Sequence, residues 1–386
     1  MERFYYSIFD TVFAPIMLLC AGQAITSIIL LLRNRKKQFP NYLLALWCLV
    51  WGLSCYFFFG YIIGPQYFSI EARTILGPTI PLTLFSPLYL YIKYFCLDLK
   101  RFNKKDLLHF LPVFIYLTVT SILYLYKGSV SAIRDIPVFE YRSIIVSYVS
   151  AIQGIIYFIG DYRLIKRQSN KLKQEFSNIE KIKLDWLQHI NYLALIVLFF
   201  GTISTFVKST TISPYLLFIL YHVFMGIALY YTSFQIILNP VIFSGEAPKP
   251  QLEKEKIEEQ EVSIQIDKDI ISRLEDLMKT TKLYTNQDLS LQDLAQSLKI
   301  SRNQLSYALN HYLHQNFYDY IHSFRLEEAK KRMLEPKYIN YSIISIAYDS
   351  GFNSKTVFYR IFKESEKITP TEYRKKHLLN NTAIKQ

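Results

Sequence analysis

The stretch SRNQLSYALNHYL (301–313) is followed by a second stretch of the same design, SKTVFYRIFKESE (354–366). Both open with serine, whose side chain accepts hydrogen bonds from the free backbone N–H groups at a helix start. A short apolar helix, containing Leu294 in one case and Ile346 in the other, precedes each stretch. The pattern predicts helix, tight turn, helix, twice over. Two helix-turn-helix motifs in one chain are typical of proteins that bind DNA.

The first motif presents a polar face beside an apolar one. Ser301 and Gln304 stand three residues apart, which is the spacing of a capping box. Leu305 and Leu309 share the face that we expect to be buried. The opposite face can enter the major groove of DNA, where asparagine can pair with adenine. The residues predicted to project from it are Arg302, Asn303, Ser306, Tyr307 and Asn310.

The second motif has the same plan with aromatic residues inside. Its supporting helix is predicted over 343–349, a turn passes through Gly351, and Phe358 and Phe362 face inward. One helix over 316–334 joins the two motifs and fixes their spacing, which suits major grooves about 34 Å apart on one face of DNA. The residues predicted to face outward here are Lys355, Thr356, Tyr359, Arg360 and Lys363.

Three longer stretches carry a family resemblance: NFYDYIHSFRLEEAKKRM (316–333), IAYDSGFNSKTVFYRIFK (346–363) and TPTEYR (369–374). With them, residues 289–374 resemble the DNA-binding domain of the AraC family of bacterial transcription regulators. The resemblance implies promoter binding and recruitment of RNA polymerase, often as a homodimer. The family's base-contact positions fall here on Asn303, Ser306, Tyr307, Lys355, Thr356, Tyr359 and Arg360.

The chain departs from the family pattern at four positions. His314 and Glu366 stand where the family has glycine, after each recognition helix, and a left-handed backbone there costs another residue about 1 kcal/mol. His322 replaces the usual asparagine near the joining helix, and Tyr307 stands where arginine is common. The small-molecule-binding cupin of the family is absent, so what is known of the family's effectors does not transfer.

The residues before Pro240 are strongly apolar. The whole chain is 51% hydrophobic and only 19% charged, with most of the charge in the C-terminal part. Helices of roughly 17–25 apolar residues can cross a hydrocarbon core of about 30 Å. Seven such stretches are present, at 9–32, 41–63, 74–95, 107–126, 143–159, 187–207 and 215–238.

These patterns predict an all-α chain, with an N-terminal seven-helix transmembrane bundle followed by a C-terminal double helix-turn-helix domain. The bundle is predicted over 1–243, a flexible acidic linker over 244–262, and the DNA-binding domain over 263–386, with its core at 289–376. The helix predicted from Ile266 either packs on that domain or self-associates.

Basic residues set the predicted orientation. The net charge is +13, and the loops on one side of the predicted bundle carry most of its lysines and arginines. The positive-inside rule then places the N-terminus outside an inner membrane and the C-terminus in the cytoplasm, where DNA lies. The inner loop at 161–186 mixes charged and apolar residues. It either extends two helices into the cytoplasm or lies against anionic lipid.

The predicted bundle contains few groups suited to chemistry. Gln153 and His222 are the candidates for binding an unknown signal ligand, against the alternative of structural hydrogen bonds between helices. No cofactor motif or metal-ligand spacing stands out, and the four cysteines fall in apolar runs, so we expect no enzyme. The predicted function is a membrane-embedded transcription regulator. The alternatives are a membrane enzyme or transporter with a regulatory tail, or an anchored regulator released by proteolysis.

Overall fold

A computed structural model describes residues 2–33, 38–63, 77–128, 141–207, 214–244 and 269–383. Within them every extended regular element is a helix, and one isolated antiparallel bridge joins Phe176 to Ser290. The all-α prediction is therefore confirmed for the described residues. The chain forms two compact units: an N-terminal unit of residues 1–168 and 184–247, and a C-terminal unit of residues 169–183 and 248–386.

The N-terminal unit contains six helices that are long and apolar enough to cross a membrane, judged by length and composition. Each exceeds the length that a hydrocarbon core requires. The α-helices of this part of the chain are α1 (Glu2–Leu32), α2 (Phe39–Ile63), α3 (Thr79–Thr83), α4 (Ser86–Cys96), α5 (Leu111–Lys127), α6 (Arg142–Glu175), α7 (Asp185–Phe206), α8 (Pro214–Leu238) and α9 (Pro240–Ser244). A 3₁₀ turn, Lys104–Phe110, leads into α5.

The third predicted span, 74–95, is broken rather than continuous. Its described part consists of the short helices α3 and α4, with Pro81 inside the first and Pro87 at the start of the second. Proline cannot donate to the helical ladder, and the indole of Trp51 donates to the Leu84 carbonyl oxygen at the break (3.1 Å). Six long helices do not supply the predicted seven. Seven crossings therefore stay a prediction.

Small residues allow helices of the N-terminal unit to approach closely. A Cβ atom added at Gly52 of α2 would lie 2.5 Å from the Ala24 Cβ of α1, and one added at Gly226 of α8 would meet the Cys20 sulfur. Close approach at small residues is how apolar helices pack where lipid offers no hydrophobic driving force. The predicted burial of the cysteines is confirmed, since all four are buried and free.

The C-terminal unit is built from short helices around an apolar core. Leu294, Leu305, Leu309 and Ile321 are among its fully buried residues. The α-helices are α10 (Asp269–Thr281), α11 (Leu291–Leu298), α12 (Arg302–Tyr307), α13 (Phe317–Leu334), α14 (Ile343–Asp349), α15 (Lys355–Glu366) and α16 (Pro370–Ala383).

Helix α10 settles one question that the sequence left open. Its Leu274 and Met278 belong to the core of the C-terminal unit, and Arg273 donates to the Leu298 carbonyl oxygen (2.7 Å). The helix therefore packs on the domain. The predicted start of this helix at Ile266 and the linker, apart from Ser244, lie outside the described residues.

The inner loop at 161–186 contains a helical extension. Helix α6 continues without interruption through Glu175, and a short 3₁₀ turn, Glu180–Ile182, follows before α7 begins. Leu172, Ile179 and Ile182 are buried. The prediction that a membrane helix is prolonged beyond its apolar part is therefore correct for α6, whereas α7 begins close to its apolar part.

Candidate nucleic-acid interface

The first motif consists of α11, a three-residue turn and α12. Lys299 ends α11 in the left-handed conformation (φ 57°). At the start of α12, the Gln304 backbone N–H donates to Ser301 Oγ (3.2 Å) and the Ser301 N–H donates to Gln304 Oε1 (2.8 Å). The predicted capping box is confirmed. It satisfies two backbone groups that would otherwise lack partners.

The recognition helix of the first motif is shorter than predicted. After Tyr307 the backbone widens into one π-helical turn, Ala308–Tyr312, while Leu305 and Leu309 remain buried. Asn303, Tyr307 and Asn310 are exposed, and Arg302 and Ser306 are half-buried. The Tyr307 ring stacks on His311, with centroids 4.8 Å apart. All five predicted contact residues thus lie on or directly after α12, and their contact with DNA stays a prediction.

The second motif consists of α14, a turn through Gly351 and α15. Gly351 has φ 97°, which glycine adopts without the clash that a Cβ atom brings. Ser354 accepts a hydrogen bond from the Val357 N–H (3.4 Å), so the predicted cap is present. The rings of Phe358 and Phe362 are fully buried, with centroids 5.6 Å apart. An aromatic cluster therefore supports this recognition helix.

The outward face of α15 is basic. Lys355, Thr356, Arg360 and Lys363 are exposed, and Lys355 lies over the half-buried ring of Tyr359 (5.8 Å). Arg360 pairs with Glu364 one turn later (3.0 Å) and donates to the Tyr318 hydroxyl (3.4 Å). Burial alone would lower the pKa of Arg360, but these two partners raise it. The side chain stays cationic, as a phosphate or guanine contact requires.

One of the two predicted glycine replacements was misplaced. His314 is left-handed, as predicted (φ 52°). Glu366, in contrast, is the last residue of α15, and the left-handed residue is Lys367 (φ 60°). Helix α15 therefore includes Glu366, which forms an ion pair with Lys330 of α13 (2.9 Å). That pair anchors the end of the recognition helix to the joining helix.

His322 is a structural residue of α13. It is buried, and its Nδ1 atom lies 2.8 Å from the Tyr318 carbonyl oxygen, while its ring packs on Phe352 of the second motif (5.3 Å between centroids). Burial and the neighbouring charge of Arg325 lower its pKa to about 3. His322 is therefore neutral near pH 7.

Arg325 is a residue whose role the sequence reasoning missed. It is 1% exposed and donates to the carbonyl oxygens of Tyr284 (2.7 Å) and Asn286 (2.7 Å). Burial lowers its pKa to about 10, so it remains charged at neutral pH. It lies one helical turn after the buried Ile321, on the inward face of α13. That spacing is the signal that could have identified it as a buried charge.

Comparison with known protein families identifies a domain that includes both of these motifs. Residues 294–376 match a family model described as a helix-turn-helix domain. The prediction of an AraC-type helix-turn-helix domain is confirmed over that range.

Relatives of the same kind occur in Staphylococcus aureus. Uncharacterized HTH-type transcriptional regulators of strains COL and MSSA476 are each 33% identical to the chain over 93 residues. That stretch is 24% of this chain and 12% of each relative, so the likeness is confined to the size of one domain. No solved structure matches the chain significantly. The comparisons support a DNA-binding regulator.

The two ligand candidates of the N-terminal unit both make structural contacts. The Nε2 atom of Gln153 donates to Ser86 Oγ (2.9 Å) and to the His109 carbonyl oxygen (3.1 Å). His222 is buried with Nδ1 2.9 Å from the Phe218 carbonyl oxygen and its ring stacked on Phe58. These contacts hold helices together, and ligand binding by either residue stays a prediction.

The same unit contains a charge pair that the sequence reasoning did not foresee. The Lys93 ammonium lies 2.6 Å from the Asp106 carboxylate, which also accepts a hydrogen bond from the Tyr94 hydroxyl (2.7 Å). Among the described residues, no group of three or more His, Cys, Asp or Glu could hold a metal ion.

Proposed function

We propose that the chain is a membrane-embedded transcription regulator. Its N-terminal unit is inserted in the cytoplasmic membrane and senses a signal, and its C-terminal unit binds promoter DNA from the cytoplasmic side. The observation that carries the proposal is the pair of capped recognition helices with exposed polar and basic faces, in a chain that also has six long apolar helices.

The recognition faces support sequence-specific binding. Asn303 and Arg360 are residue types that pair bidentately with adenine and guanine edges, and both are exposed. The joining helix α13 lies between the motifs, and buried side chains fix it on both sides, among them Ile321 and Met333. A rigid joint holds two helices for successive major grooves.

Membrane insertion rests on the apolar helices and on the distribution of basic residues. With the N-terminus outside and the predicted seven crossings, the C-terminal domain is delivered to the cytoplasm. A fluorescent protein that matures only in the cytoplasm, fused after Gln386, tests this orientation. Fluorescence in the membrane fraction is expected, whereas a dark fusion would contradict the topology.

RNA polymerase and a second copy of the chain are the proposed protein partners, and the signal is an unidentified ligand or a change in the lipid itself. A match to a helix-turn-helix domain suggests a regulator rather than an enzyme. Release of the domain by proteolysis is the competing route. Immunoblotting during induction distinguishes proteolytic release from signalling by the intact membrane protein, because release leaves a soluble C-terminal fragment.

The deciding experiment is selection of DNA by the full-length chain. The protein is reconstituted in lipid nanodiscs and incubated with random 40-base-pair duplexes, and bound DNA is sequenced over several rounds. We expect one sequence with two half-sites to be enriched. Empty nanodiscs are the control, and enrichment no greater than theirs would overturn the proposal.

A further inference from the structure

Residues 169–183, here called the docking segment, belong to the C-terminal unit although residues 184–247 separate them from its other part. They comprise the last turns of α6 and the loop that follows. The backbone of this segment pairs with the loop before α11. Phe176 forms an antiparallel bridge with Ser290, and the Ser177 N–H donates to the Leu289 carbonyl oxygen (3.3 Å).

The docking segment is also bound by the buried arginine of α13. Arg325 Nη1 donates to the Ser177 carbonyl oxygen (3.3 Å), and Nη2 donates to Ser177 Oγ (3.1 Å). Ser177 is 1% exposed. A buried guanidinium needs hydrogen-bond acceptors for its N–H groups, and two of the acceptors of Arg325 belong to this segment. The contact is therefore part of the domain's interior hydrogen bonding.

Acidic side chains of the docking segment lie against the DNA-binding residues. The Glu175 carboxylate is 3.3 Å from the Arg302 guanidinium, and the two side chains are only 15% and 16% exposed. Arg302 is the first residue of the first recognition helix. On the joining helix α13, burial raises the pKa of Tyr318, the hydroxyl partner of Arg360, to about 12; the charge of Arg360 opposes this rise and the charge of Glu180 adds to it.

The Glu175 carboxylate pairs with Arg302 in the way that a phosphate of bound DNA would. An arginine at the start of a recognition helix can pair with phosphate oxygens, which offer a guanidinium two negatively charged acceptors as a carboxylate does. The same guanidinium cannot be covered by Glu175 and be open to a phosphate. Docking and DNA binding therefore both require the Arg302 guanidinium.

We propose that the docking segment is an intramolecular partner of the DNA-binding domain and competes with DNA for the first recognition helix, with Glu175 covering Arg302. The inference rests on the proposed function. Helix α6 begins at Arg142 in the N-terminal unit and ends inside the docking segment, so one continuous helix connects the apolar part of the chain to the competing carboxylate. Undocking would then free the first motif for DNA.

A reversible disulfide tests the competition. Asn178 Nδ2 lies 3.5 Å from the Asp288 carboxylate, and the two residues are in register with the Phe176–Ser290 bridge, where Cβ atoms are about 5 Å apart. The variant Asn178→Cys, Asp288→Cys is made in the full-length chain in nanodiscs. The native cysteines are buried in the N-terminal unit. The probe is the duplex enriched by the full-length chain under reducing conditions.

The oxidised variant is expected to bind that duplex at least about 10-fold more weakly than the same protein after reduction, and excess duplex is expected to slow disulfide formation. Each single-cysteine variant under oxidation is the control. Equal DNA affinity of the oxidised and reduced forms would overturn the competition while leaving the proposed function intact. Failure of the disulfide to form without DNA would overturn the docking. If no duplex is enriched at all, the proposed function falls and this inference with it.

A second variant isolates the carboxylate. Glu175→Gln keeps the shape of the side chain and removes its charge, so DNA affinity of the full-length chain is expected to rise about 5-fold, the scale of one ion pair. Glu275→Gln, which removes a charge from the exposed pair with Lys279, is the matched control and is expected to change affinity by less than about 2-fold. An equal rise in both variants, or none in Glu175→Gln, would contradict a specific role for Glu175.

Discussion

The two helix-turn-helix motifs follow one plan but are supported differently. The first packs on a mostly aliphatic core and has a reciprocal capping box, and Glu175 from a distant part of the chain covers its leading arginine. The second has an aromatic interior and a single cap bond, and its Arg360 is 48% exposed beside Glu364 of its own helix. On the competition proposed above, the first motif is the regulated one, and the second is open to DNA without undocking.

The comparison also shows where the motifs depend on each other. Gly351 lies in the turn of the second motif, yet its nearest neighbours are Tyr284 and Thr285, which adjoin the core of the first. Arg325 donates to Tyr284 in the same region. A substitution at the Gly351 turn or at Arg325 is therefore expected to affect the packing of both motifs.

The largest expected effect comes from Gly351→Ala. The new Cβ would fall on the Tyr284 carbonyl oxygen and lie 2.8 Å from the Thr285 Cα, at a backbone φ of 97° that alanine disfavours. We expect a loss of at least about 3 kcal/mol in the C-terminal unit. Hydrogen exchange of the full-length chain should show lost protection in both motifs. Gly22→Ala, which meets no atom within 4 Å, is the control. Loss confined to 343–366 would show that the motifs are independent.

Arg360→Ala separates the motifs by their contact with DNA. Removing an exposed guanidinium that reaches a base or phosphate costs between about 1 and 3 kcal/mol of binding. Electrophoretic mobility shifts of the full-length chain on its enriched duplex should show that loss. Lys331→Ala, at an exposed lysine of α13, removes the same charge outside the recognition helices. An equal loss for Lys331→Ala would mean that Arg360 contributes only general charge.

Acid is expected to loosen the second motif before the first, through His322. Its pKa in the folded state, about 3, lies below the unfolded value of 6.5. The stability that neutral, buried His322 contributes is therefore complete above pH 6.5 and is lost as pH falls toward 3. At pH 5.5 the loss is between about 1 and 2 kcal/mol. Hydrogen exchange, corrected for intrinsic rates, should weaken first at 343–366, where His322 packs on Phe352. In His322→Asn this pH dependence should vanish; its persistence would point to another group.

The smallest effects concern the two caps. Ser301→Ala removes a reciprocal pair of bonds with Gln304, and we expect a loss of about 1 kcal/mol. Ser354→Ala removes one long bond and should cost less. Local hydrogen exchange at the start of α12 and α15 measures both. A larger loss of stability in Ser354→Ala than in Ser301→Ala would contradict the conclusion that the first motif has the stronger helix cap.

Local patterns predicted the parts of the domain that local forces determine. The capping box and the buried faces of Leu305 and Phe358 follow from residues within one or two turns of each other, whereas the left-handed His314 was expected from the family resemblance. The docking of Ser177 on Arg325 did not follow, because hydrogen bonds between residues more than 100 positions apart leave no periodic trace in the sequence. Likewise, hydropathy marked 74–95 as a span, and it is the prolines that indicate a break in it; neither feature could reveal that Lys93 pairs with Asp106.

The central claim is that both recognition helices bind one duplex. Hydroxyl-radical footprinting of the full-length chain in nanodiscs on its enriched duplex tests this most directly. We predict two protected segments on one face, about 10 base pairs apart, with Arg360→Ala abolishing protection in one of them only. A single protected segment, or protection that Arg360→Ala leaves unchanged in both, would contradict the claim.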